Sequence, residues 1–113
     1  MRHLIAMYAS PRVPAPTESP DAEWMRDMIA FMKQIDVDLR ESGELVAEAG
    51  FDRPGFTVTA DEVRQEPLAD GSPLIGFWIV DVASEERAIE IGRSIARWSG
   101  AVEIRPLGSP PEV

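Results

Sequence analysis

The sequence contains no cysteine, which excludes a disulfide framework, a thiolate nucleophile and a thiolate metal site. Histidine occurs once, as His3, so no histidine–carboxylate metal cluster is expected. Basic residues are scarce: 11 Lys and Arg stand against 20 Asp and Glu, a formal charge of −9. That field repels phosphate and anionic lipid, so neither nucleic acid nor a membrane is an expected partner. No run approaches the roughly 20 apolar residues of a membrane span. The opening "MRHLIAMYAS" breaks into prolines too soon for a signal peptide. A Gly-rich phosphate loop and a nucleophile elbow are both missing, and no cofactor is expected. The expectation is a soluble, cytoplasmic protein.

What is present suffices for one domain. A chain of 113 residues, 44% of them hydrophobic, removes roughly two thirds of its unfolded surface from water. Residues 1–107 read as that domain and 108–113 as a flexible tail. "RHLIAMYA" predicts a buried strand, with His3, Ile5 and Met7 on one side and Leu4, Ala6 and Tyr8 on the other. "SPRVPAPTESP" follows as a stiff, extended connection, either a lid over a pocket or a spacer. A helix is expected from a cap at Ser19 to about Ser42. Trp24, Met28, Phe31, Ile35 and Leu39 form its apolar stripe, Met25 and Met32 widen it, and Gly43 ends it. These side chains read as core in preference to an adaptable pocket.

"ELVAEAGF" predicts a second strand and "FTVTADEVRQ" a third around Thr57, Val58 and Thr59. Pro67, Gly71 and Pro73 mark a loop. Asp61, Glu62, Glu66 and Asp70 do not have calcium-loop spacing and read as a solvated acidic face. "LIGFWIVDV" is the strongest strand. A second helix is capped by Ser84, stopped by Gly100 and apolar along Ala88, Ile91, Ile95 and Trp98. "AVEIRPL" alternates, with Val102 and Ile104 to one side and Glu103 and Arg105 to the other.

The order β-α-β-β-β-α-β, or β-α-β-β-α-β if the third strand merges with its neighbour, implies a ferredoxin-like α+β sandwich. It has an antiparallel sheet with both helices on one face. The uncovered face then exposes apolar surface, which predicts a homodimer with two sheets packed face to face around a pocket. Phe77, Ile79 and Asp81 share one side of the strong strand, and Trp78, Val80 and Val82 the other. If the valines pack under the helices, Asp81 joins Glu103 and Arg105 on the open side, where Arg105 pairs with either carboxylate.

"GFWIVDVASEERAIEIG" resembles the strand-and-helix signature of YCII-related proteins, in particular their DGPF branch. "LIAMY", "FMKQIDVDLRESGELV" and "VEIRPL" are similar to that branch in the same order. The resemblance implies a dimeric α+β barrel. It also implies a function among either pocket proteins acting on small aromatic or polyketide-like molecules or accessory proteins of sigma factors. The sequence departs from the branch at its namesake Asp-Gly-Pro-Phe, where Pro67 and Leu68 match but Gln65 and Glu66 replace Asp-Gly. The histidine of YCII proteins proper, near the start of the first helix, has no counterpart, so their suspected catalytic pair does not transfer.

The candidate site follows from these faces. Asp81 is expected either as a pocket acid or base or as a strand-end carboxylate in the turn before Ser84. His3, if it faces the open side, meets Asp81 or Glu103 as the acid–base partner. Tyr8, Phe77, Trp78, Glu103 and Arg105 are the expected substrate contacts. Two functions are expected: a binder of a small apolar or aromatic molecule with cofactor-free proton-transfer chemistry, or a non-catalytic regulatory protein using its open face for partner contacts.

Overall fold

The computed structural model describes residues 1–9, 16, 17, 19–68 and 74–109. Most of the expected proline-rich connection, Asp70 and the final four residues lie outside these. Strand β1 (Arg2–Tyr8) is central in a four-stranded antiparallel sheet with β2 (Leu45–Gly50), β5 (Leu74–Asp81) and β6 (Val102–Pro106), in the order β2-β5-β1-β6. Helix α1 (Ala22–Glu41) joins β1 to β2, and helix α2 (Glu85–Ser99) joins β5 to β6. Each crossover spans one intervening antiparallel strand. This α+β arrangement is compatible with a ferredoxin-like fold.

The expected cap of α1 lies two residues further on. Asp21, in extended conformation, accepts the Trp24 N–H at 2.8 Å, so Pro20 precedes the cap instead of opening the helix. Either side chain can cap, but the Asp21 carboxylate adds a full negative charge beside the helix N-terminus. At the other end Gly43 takes φ +78°. Its N–H donates to the Arg40 carbonyl at 3.2 Å and the Glu44 N–H to the Leu39 carbonyl at 2.9 Å, a paired closure that needs a left-handed residue. In α2 the expected cap is in place, with Ser84 accepting the Arg87 N–H at 3.2 Å. Gly100 at φ +95° closes it.

Both helices cover the same face. Ile5, Trp78, Val80 and Val82 from the sheet meet Ile35 and Leu39 of α1 and Ala88, Ile91 and Ile95 of α2 in one buried cluster. Val102 and Ile104 pack against it. Contact is close at Gly92, where a Cβ would lie 2.9 Å from Ile104 Cδ1 and 3.2 Å from Val102 Cγ2. Glycine there lets α2 settle onto β6.

The expected third strand does not join this sheet. Strands β3 (Thr57–Val58) and β4 (Val63–Arg64) pair only with each other, as a hairpin within the β2–β5 connection. The Thr59 hydroxyl accepts from the N–H groups of Asp61 at 3.3 Å and Glu62 at 3.2 Å, which closes the turn. Among the described residues no helix is long and apolar enough to cross a membrane.

Candidate functional site

The face opposite the helices carries Leu4 and Ala6 of β1 beside Ile79 and Phe77 of β5, their direct cross-strand neighbours. Leu4, Phe77 and Ile79 are half-buried, although neither α1 nor α2, the helices of the described residues, lies over them. On the β6 side Arg105 stands opposite Leu4 and Glu103 opposite Ala6, both exposed. At the end of β5, Asp81 stands opposite Arg2. The open face thus brings Phe77, Asp81, Glu103 and Arg105 onto one surface, as the alternation of β5 and β6 predicts.

Arg105 does not pair with either carboxylate among the described residues. Asp81 is held by the N-terminus instead: the Met1 amine donates to its Oδ1 at 2.9 Å, and Arg2 Nε lies 3.8 Å from Oδ2. The hydrogen bond from the amine, with its positive charge, holds the Asp81 carboxyl below the usual carboxylate range. Its side chain is half exposed. Capping of the second helix falls to Ser84 alone, so the turn expected of Asp81 closes without its carboxylate.

His3 lies on the other face. It sits between Val80 and Pro106 in the sheet, 1% exposed, with Nδ1 buried and unpartnered among the described residues. Its Nε2 is 4.0 Å from Glu85 Oε1 at the start of α2, too long for a hydrogen bond. The expected meeting of His3 with Asp81 or Glu103 therefore does not occur, because residues 3 and 5 share the helix-facing side and the pleat admits no exception here.

Trp78 is also in the helix-facing core, 6% exposed. Its indole N–H donates to Asp36 Oδ1 at 2.8 Å, a bond that ties β5 to α1. Tyr8 pairs with Leu74 beyond a register shift and is half-buried. Phe77 is met by Phe51, ring centroids 6.0 Å apart and tilted by 40°. Beside Phe51, the residues Asp52, Arg53, Pro54, Leu74 and Ile75 complete a cleft of about 220 Å³ at the hairpin end of the sheet.

One charged group escaped the sequence reading. Glu44, just before β2, accepts two hydrogen bonds from Arg87 of α2, from Nε and a terminal nitrogen, both at 2.9 Å. Arg87 also donates to Glu90 at 2.8 Å, and Ser42 to Glu44 at 2.8 Å. The Arg87 hydrogen bond pulls the Glu44 carboxyl down and pushes the guanidinium up. Only the Arg87–Glu90 spacing is visible locally. Glu44 and Arg87 are 43 residues apart and meet through the sheet.

No family model matches the chain, and no curated protein matches it.

Proposed function

We propose that this chain is a YCII-related protein of the DGPF branch that acts as a homodimer, its two open faces enclosing a small apolar or aromatic ligand. The observation that carries this reading is the open face itself. Leu4, Phe77 and Ile79 form an apolar strip without a helix above it, bordered by Arg2 and Asp81 at one end and by Glu103 and Arg105 along one side. A strip of this kind, apolar in the middle and charged at the margin, has the anatomy of an interface or of a ligand site formed at one. The strand order and the resemblance of "GFWIVDVASEERAIEIG" support the same reading.

Binding is favoured over proton transfer. Asp81 is tied to a cation that keeps it ionised, which makes it a weak base at neutral pH, and His3 is separated from it by the thickness of the sheet. A non-catalytic accessory role for the same face is the second reading, favoured by the same ion pair.

The test is titration with the apolar anion 8-anilino-1-naphthalenesulfonate. Wild-type protein is expected to enhance its fluorescence saturably, and Phe77→Ala to weaken binding about tenfold with secondary structure unchanged. Equal binding by Phe77→Ala, or none by the wild type, overturns the ligand site.

A further inference from the structure

The open face is laid out in rows across the sheet. Arg105, Leu4, Ile79 and Ala47 are direct neighbours on β6, β1, β5 and β2, and Glu103, Ala6, Phe77 and Ala49 form the next row. Direct neighbours point to one side of a sheet, with Cβ atoms about 5 Å apart. The first row therefore runs from an exposed guanidinium over the half-buried Leu4 and Ile79 to a methyl group on the edge strand. The second runs beside it, from a carboxylate to the Phe77 ring and the Ala49 methyl.

Charge is unevenly matched on this face. The strands of the sheet carry two bases, Arg2 and Arg105, and alternation sets both on the open side. Arg2 has Asp81 as its direct neighbour, with Nε 3.8 Å from Oδ2. Arg105 is exposed and has no ion pair among the described residues. One cation at the margin of the apolar strip is thus matched by no group of the described chain. Its surroundings restrict what can match it. Glu103 stands two residues away on the same side of β6, and the chain carries a formal charge of −9. Both repel a phosphate dianion more than a single negative charge. A planar carboxylate also fits the guanidinium fork through two parallel hydrogen bonds.

We propose that Arg105 is the anion seat of the open face. The site takes a small amphipathic carboxylate, its charged group on the Arg105 guanidinium and its apolar body across Leu4 onto Ile79 and Phe77. The proposal rests on the ligand reading above and adds the chemical class of the ligand and the residue that selects it.

Isothermal titration calorimetry of the full chain with 2-naphthoate, its neutral amide 2-naphthamide and 2-naphthyl phosphate tests this. Wild type is expected to bind naphthoate about tenfold more tightly than the amide, and the phosphate more weakly than naphthoate. Arg105→Gln is expected to bring naphthoate and amide together by weakening naphthoate, and Glu103→Gln to tighten naphthoate. Equal wild-type affinity for naphthoate and amide, or an equal loss of both in Arg105→Gln, overturns the anion seat and leaves the ligand site standing. Phosphate bound more tightly than naphthoate overturns the carboxylate class. A monomeric Arg105→Gln beside a dimeric wild type in sedimentation velocity gives the guanidinium to the second copy and overturns the seat. Wild type that binds none of the three overturns the ligand site itself.

Discussion

His3 and Asp81 stand on opposite faces of one strand pair: His3 lies across from Val80 under the helices, and Asp81 across from Arg2 in the open. A sheet is impermeable to proton transfer between side chains on its two sides, so these two groups cannot act on one substrate atom. His3 is consequently a core residue with a polar ring, and its Nδ1, unpartnered among the described residues, is a cost to folding.

Replacing His3 with leucine, of similar volume, removes that buried polar atom. His3→Leu is expected to be stabilising by about 1 kcal/mol, read from urea unfolding at pH 7. A loss of stability would show that the imidazole makes a contact worth more than its desolvation.

Trp78 and Asp36 hold α1 against β5. Trp78→Phe keeps most of the apolar volume but deletes the 2.8 Å hydrogen bond, leaving the half-buried Asp36 carboxylate without its donor. The expected cost is about 1–3 kcal/mol. If Asp36→Asn costs as much as Trp78→Phe, the loss comes from charge and not from the indole bond.

At Gly92, helix propensity and packing oppose each other. Alanine favours a helix by about 1 kcal/mol over glycine, but its Cβ would lie 2.9 Å from Ile104 and 3.2 Å from the stiffer Val102 side chain. Overpacking of this kind costs about 1–3 kcal/mol, so Gly92→Ala is expected to be net destabilising. Ile104→Val, which removes the nearer methyl, is expected to recover part of the loss in the double variant. Gly92→Ala more stable than wild type would mean that α2 moves off β6 without penalty.

The Glu44–Arg87 bond has a pH signature. Because the folded protein lowers the Glu44 carboxyl from its ordinary value of 4.5, the unfolded chain takes up the proton first as pH falls. The bond's contribution is therefore complete above pH 4.5 and is lost progressively below it. Glu44→Gln is expected to cost about 1–2 kcal/mol at pH 7 and much less at pH 3, as measured by urea titration at both. An equal cost at the two values would assign the effect to packing.

The architecture was legible where short-range chemistry dictates it. Ser84 and Gly100 bracket α2 in the sequence as they do in the fold, and the Val102–Ile104 alternation placed Glu103 and Arg105 on the open face. The strong "LIGFWIVD" run predicted both the strand and its two faces. The cap of α1 was ambiguous because Ser19 and Asp21 are both able to accept the free N–H groups, and only the geometry selects Asp21. The hairpin was missed because two-residue strands are too short to display a period of two. Glu44–Arg87 and Met1–Asp81 join residues brought together by the sheet, and no local pattern encodes them. Strand alternation groups His3 with Ile5 and Met7, but it carries no signal for which side of the sheet the helices cover.

The proposed dimer closes the open face of one copy on that of a second. Sedimentation equilibrium compares the wild type with Ile79→Glu, which sets a carboxylate in the middle of the apolar strip. Wild-type mass is expected near twice the 12.5 kDa chain and Ile79→Glu is expected to be a folded monomer, since an unpaired charge buried at an interface is strongly disfavoured. Wild type at the mass of one chain up to its solubility limit, or a variant that dimerises as tightly as wild type, would contradict it.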